Sequence, residues 1–140
     1  MKFVVDNSVV MAWCFDDESA GYPDAVLELM KTSEALVPSI WPLEVSNVLV
    51  VAERRKRLNE ADSARFLKLL AGLPFRVIPD TPSRVTTEVF ALARRHQLSV
   101  YDASYLDLAM REGVALATSD KSLRAAASSV RVALLQPSPK

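Results

Sequence analysis

Four acidic residues, Asp6, Glu44, Asp102 and Asp120, stand at element boundaries along this chain. Asp6 ends the apolar run KFVV. Glu44 lies near the start of a long amphipathic segment. Asp102 opens the helical pattern YDASYLDLAM, and Asp120 closes the run ALATSD. In a strand–helix alternating fold, such boundaries collect along the sheet edge where ligands bind. Carboxylates gathered there repel: a pair ~5 Å apart costs roughly 3 kcal/mol at an effective dielectric of ~20. Each also raises the pKa of its neighbours. A divalent cation removes that penalty. Oxygen donors without histidine or cysteine favour Mg²⁺, with Mn²⁺ as a substitute. The chemistry such a site would do is metal-dependent hydrolysis of a phosphodiester.

Each acid also has a structural alternative. Asp6 and Asp120 are each placed to cap a following helix. Asp102 is the fourth residue of a capping box, Ser-Val-Tyr-Asp, with Ser99 as the cap. Glu44 is harder to explain this way. It lies three residues from Trp41 and four from Val48, on or beside an apolar stripe. A buried carboxylate needs compensation. The basic cluster Arg54, Arg55, Lys56 and Arg57 begins ~15 Å further along the same helix, so a bound metal is the better candidate. Asp107, about 140° around the helix from Asp102, is expected at the solvent or the rim.

The elements that must position these groups alternate. Strands are predicted at residues 3–5, 35–37, 75–78, 114–117 and 130–134. Helices are predicted at 8–15, 22–31, 40–58, from Asn59 to the closing Gly72, 83–96, 101–111 and 121–127. Trp41, Val45, Val48, Leu49 and Ala52 form one apolar stripe of the strongest helix. Pro42 fits its first turn. Asn59 is expected to cap its helix, and Gly113 to end another. The order implies an α/β fold with a mostly parallel sheet of about four or five short strands between helical layers. Valine-rich strands suit a sheet covered on both faces.

At 140 residues the chain has room for one domain, taken as residues 1–135 with a frayed tail at 136–140. Seventeen basic and seventeen acidic side chains cancel, so no net charge marks a nucleic-acid partner. The single cysteine, Cys14, excludes an internal disulfide and suits a reducing compartment. Neither a signal peptide nor a membrane span is read from the sequence, so a cytoplasmic protein is expected. His96, the one histidine, reads as a complement to a helix C-terminal dipole. Arg54–Arg57 and Arg94–Arg95 also sit at helix ends, and Trp13 and Trp41 read as core.

Four segments together resemble the PIN-domain ribonucleases, most of all the VapC-type toxins of bacterial and archaeal toxin–antitoxin pairs. FVVDNS is similar to that family's strand followed by Asp-x-Ser. VPSIWPLEVSNVL is similar to its Glu-x-x-Asn-x-Leu helix, SVYDASYLDLA to its Asp-Ala-x-Tyr-Leu-x-Leu-Ala helix, and LATSDKSL to its closing Thr-x-Asp-x-x-Leu. The resemblance implies a three-layer α/β/α PIN-like fold and Mg²⁺-dependent endonucleolytic cleavage of RNA by metal-activated water. It makes Asp6, Glu44, Asp102 and Asp120 the metal-binding set. Asp6 and Asp102 would ligate directly, and Glu44 and Asp120 would act through waters or a second ion. Ser8 would hold Asp6, Thr118 would support the pocket near Asp120, and Asn47 would brace the backbone near Glu44. It also implies a homodimer and a small antitoxin that covers the acidic cleft. The leucines and Met30 of 22–31, with the leucines of 40–58, are candidate walls of the antitoxin's groove. The competing readings are a phosphohydrolase with Asp6 as nucleophile, to which Lys121 would lend a charge, and a PIN-like interaction module without turnover.

Overall fold

The computed structural model describes residues 1–15 and 21–137. Four strands are connected through helices: β1 (Lys2–Val5), β2 (Glu34–Pro38), β3 (Phe75–Ile78) and β4 (Ala115–Ala117). They form one parallel sheet in the order β3-β2-β1-β4. Helices α1 (Asn7–Ala12) and α2 (Tyr22–Leu29) link β1 to β2, and α3 (Trp41–Arg54) and α4 (Glu60–Ala71) link β2 to β3. The return to β4 runs through α5 (Pro82–Arg84), a π-helical turn at Val85–Val89, α6 (Phe90–His96) and α7 (Val100–Glu112). Helix α8 (Lys121–Ser129) follows β4.

The β1-to-β3 progression and the reversal to β4 take the chain in opposite directions across the sheet. Right-handed crossovers therefore put α1–α4 on one face and α5–α7 on the other. The reversal falls between β1 and β4. Crevices beyond the carboxyl ends of strands at such a reversal are where open α/β sheets bind ligands. Asp6 follows β1 and Asp120 follows β4, so topology alone brings these two to that crevice.

Phe3, Val4 and Val5 are fully buried, as a strand covered on both faces requires. The edge strand β3 differs, with Arg76 and Val77 exposed. Trp41, Val45, Leu49 and Ala52 of the predicted α3 stripe are buried, and Val48 packs against them partly exposed. Trp41 stacks on Phe75 at 4.4 Å between ring centroids. Both tryptophans serve packing, since Trp13 Nε1 donates to the Pro23 carbonyl at 2.7 Å. Met30, expected on a groove wall, is core at 2% exposure.

Several expected boundaries moved. Helix α3 stops at Arg54 because Lys56 turns left-handed at φ 59°. The predicted 83–96 helix carries the π-helical turn. There, Thr86 Oγ1 donates to the carbonyls of Pro82 and Ser83, and Thr87 Oγ1 to that of Ser83. Such side-chain bonds compete with the regular backbone ladder. The predicted strand 130–134 is reduced to one parallel bridge between Leu116 and Leu134. Val130 and Arg131 are still closing α8, with Arg131 at φ 61°, so too little extended chain is left to pair. Part of the expected frayed tail, residues 138–140, lies outside the described residues. No helix among the described residues is long and apolar enough to cross a membrane.

Asp107 corrects its expected placement at the solvent or rim. It is 3% exposed. Arg84 grips it with two hydrogen bonds of 2.8 and 2.9 Å, and Arg111 Nε adds a third at 3.1 Å. Arg111 also reaches Asp80 at 2.8 Å. The far side of α7 faces the α5 helix and its π-helical extension rather than water. Removing one partner from a buried pair exacts about 3–5 kcal/mol. Here Arg84 and Arg111 stay partly solvated, so Asp107→Ala should destabilise by about 2–4 kcal/mol. Urea denaturation checks this against Lys31→Ala, which removes an exposed pair with Glu28 and should shift stability by no more than about 0.5 kcal/mol.

Candidate active site

Asp6 leaves β1 with its backbone N–H bonded to the Ala117 carbonyl at 3.0 Å, fixed against the end of β4. Its side chain caps α1, with Oδ1 accepting from the Val9 N–H at 3.4 Å. Two hydroxyls complete its surroundings. Ser8 Oγ donates to Oδ1 and Thr118 Oγ1 to Oδ2, each at 2.6 Å. Both hydroxyls in turn accept a backbone N–H from the turn after β4: Ser8 from Ser119 at 3.1 Å, and Thr118 from Asp120 at 3.0 Å. A hydroxyl that accepts an N–H has its proton free to donate, and here both protons point at Asp6. The sequence reading placed Ser8 beside Asp6 and Thr118 near Asp120. In the structure Thr118 touches both acids.

Asp120 caps α8, its Oδ1 accepting from the Ser122 N–H at 3.2 Å. Asp102 lies in the first turn of α7, where Ser99 is the cap and accepts the Asp102 N–H at 3.0 Å. Glu44 comes from the first turn of α3 and is half-buried. Its compensating partner is Tyr105, whose hydroxyl donates to Oε1 at 2.6 Å. Sequence reasoning missed Tyr105, although the signal lay inside YDASYLDLA. A residue three positions after Asp102 shares its helix face. Arg124 was missed as well; its Nη1 donates to the Thr118 carbonyl at 2.9 Å and braces the turn that aims Thr118. Asn47 is exposed, and its side chain makes no hydrogen bond among the described residues. The backbone-bracing role expected of it has no counterpart.

Electrostatics link the four acids through Asp102. Burial pushes the Asp6 carboxyl up to about 6; its hydrogen bonds oppose this, and the charge of Asp102 adds to it. Glu44 is raised by burial and by Asp102, against the Tyr105 hydrogen bond. Asp102 is raised by burial and by Asp120, against the Ser99 hydroxyl. Burial, followed by the hydrogen bond and charge of Glu44, holds the Tyr105 hydroxyl far above the ordinary tyrosine range, so it remains a donor. Among the described residues none of the four acids is in an ion pair, and each ion pair of the fold lies elsewhere.

This donor set suits a hard divalent cation: all oxygen, anionic, and short of positive charge. Among the described residues, no three acidic, histidine or cysteine side chains converge closely enough to hold an ion by themselves. A hard cation here would have to keep waters beside one or two carboxylates, as Mg²⁺ does.

Comparison with known proteins adds sequence and fold relatives. Residues 3–128 match the PIN domain. Ribonuclease VapC3 of Pyrobaculum aerophilum is 30% identical over 123 residues, which span 88% of this chain and 92% of that protein. The crystal structure of PAE2754 from Pyrobaculum aerophilum superposes with a TM-score of 0.69 at 26% identity, covering 90% of this chain and 84% of that one. That of VapBC2 from Rickettsia felis, bound to a DNA fragment from their promoter, gives 0.68 at 14% identity, covering 96% and 98%, a likeness of fold.

Folded Asp6 keeps its proton to about pH 6, whereas a free aspartate carboxyl releases it near 3.8. Between those values the native state binds more protons than the unfolded one, so stability falls as pH rises through the window. In EDTA, the melting temperature should therefore drop from pH 4 to pH 7 by more in the unmodified protein than in Asp6→Asn. Added Mg²⁺ should recover the loss at pH 7. Scanning fluorimetry across the series checks both; parallel pH profiles for the two proteins would contradict it.

Proposed function

The chain belongs to the PIN-domain family, and from that we propose that it is an endoribonuclease acting as the toxin of a toxin–antitoxin pair. The observation that carries the reading is the Asp6 site: a buried carboxylate between two oriented hydroxyls, electrostatically tied to Asp102 and standing where the sheet order reverses. The kinship with Ribonuclease VapC3 supports RNA as the substrate.

In this reading Asp6 and Asp102 hold Mg²⁺, for which Mn²⁺ would substitute. Glu44 and Asp120 act through waters or at a second ion. When bound, the cation supplies a nucleophilic water near neutral pH and charge neutralisation at the phosphoryl group. The side chains do the rest. Ser8 and Thr118 keep Asp6 ionised and fixed in orientation. Tyr105 occupies Glu44 Oε1, which leaves Oε2 to orient a water or accept a proton. Arg124 stiffens the turn that carries Thr118 and Asp120. A nucleophilic Asp6 gains no support. Lys121, the charge that reading called on, is exposed and in no ion pair among the described residues.

A small antitoxin that covers the acidic cleft, a homodimer and a cytoplasmic setting complete the proposal. The fold shared with the VapBC2 structure supports a protein partner.

Cleavage of single-stranded and total cellular RNA should require Mg²⁺ or Mn²⁺ and stop in EDTA. Asp6→Asn and Asp102→Asn should fall to background with unchanged circular dichroism. Ser8→Ala should lose about 10–100-fold, as is usual for groups that orient a metal ligand, and regain part of that at higher Mg²⁺. Full activity in folded Asp6→Asn, or in EDTA, would sink the metal-dependent reading.

A further inference from the structure

Beside the acids, α3 and the start of α7 enclose two clefts that share Ile40, Leu43 and Tyr101. The smaller, of about 330 Å³, also contains Glu44 and Asn47. The larger, of about 470 Å³, is apolar and runs toward Val100 and the π-helical turn. Small-ligand pockets span roughly 300–1,000 Å³. Ile40 packs against the core, but Leu43 and Tyr101 do not belong to it: Leu43 is 68% exposed and Tyr101 57%. Tyr101 directly precedes Asp102, the acid to which the other three couple. Its hydroxyl has no hydrogen-bond partner among the described residues.

Neither cleft is lined by a lysine or an arginine. The acids beside them repel phosphates. A cation bound as proposed would hold only the scissile phosphate, so the nucleotide beside it needs a grip other than charge. Aromatic faces do this for single strands, because every base has a π-face to stack. The Asn47 amide in the same cleft offers both a donor and an acceptor to the edge of a planar ligand.

We propose that Tyr101 stacks on a base of a single-stranded RNA next to the scissile phosphate, with Leu43 flanking that base and Asn47 bonding its edge. The proposal rests on the ribonuclease reading and names how that site positions its substrate. It makes Tyr101 a substrate-positioning residue: the base is gripped by stacking, and the phosphate is thereby delivered to the acids.

The test uses the RNA oligonucleotide that the unmodified protein cleaves best from a random single-stranded pool. Loss of one stacked base should raise half-saturation by about 5- to 100-fold. Tyr101→Ala should show that rise with a smaller change in kcat, and Tyr101→Phe and Tyr101→Trp should restore it. Abasic nucleotides are then placed one at a time beside the cleaved bond. One position should weaken the unmodified protein by the same factor and leave Tyr101→Ala unaffected, an effect that a merely structural tyrosine would not give. Unchanged half-saturation in Tyr101→Ala overturns the proposal and leaves the apolar surface to a protein partner. So does an abasic scan in which no position matters, a measurement that needs no variant to fold. If the unmodified protein cleaves no RNA with Mg²⁺ or Mn²⁺, the ribonuclease reading itself fails and takes this proposal with it.

Discussion

The organising constraint of this molecule is the pair of hydroxyl bridges on Asp6. Ser8 and Thr118 each accept a backbone N–H from the turn after β4 and donate their own O–H to the same carboxylate. The carboxylate, the end of β1, the end of β4 and the cap of α1 are thereby one hydrogen-bonded unit. Burial of Asp6 is unfavourable for its charge, and these bonds offset part of that cost. A bound cation would offset the remainder. Capping and orientation are not alternatives for Asp6: the bond that caps α1 also fixes the orientation of its oxygens.

The parallel sheet converts this local unit into a site. Because β1 and β4 lie side by side, Asp6 and Asp120 need no long reach to meet. The other two acids come from helices whose first turns are presented to the crevice, α3 with Glu44 and α7 with Asp102. Tyr105 ties these two helices together through Glu44, so the acids are held by contacts spanning both helical layers.

Much of this was legible in the sequence. Valine-rich β1, the α3 stripe and the Asn59 capping box are local patterns, and their periods and caps survive folding with little change. The four acids stood out because each sits at a boundary, and Glu44 because a carboxylate on an apolar stripe is costly; electrostatics tie the other three to Asp102. What could not be read depends on pairings distant in the chain. The partner of Glu44 is a tyrosine 61 residues away. Asp107 is held by Arg111 on its own helix and by an arginine 23 residues before it, and the distant one could not be read from helical geometry. Asn47 differs: its motif position suggested a bracing role, and its side chain makes no hydrogen bond among the described residues. The last strand failed because α8 consumes the residues that periodicity had assigned to it.

Helix α7 is engaged on opposite sides. Asp102 and Tyr105 face the acids, while Asp107 faces Arg84 and Arg111. One inserted or deleted residue between 102 and 107 would rotate one side about 100° relative to the other. No rigid shift of the helix could then satisfy both. The five-residue spacing works as a gauge, coupling the phase of the chemical face to that of the anchoring face. Apart from Tyr105, whose hydroxyl holds Glu44, side chains between them can be exchanged for others of similar size, whereas the count of residues cannot change.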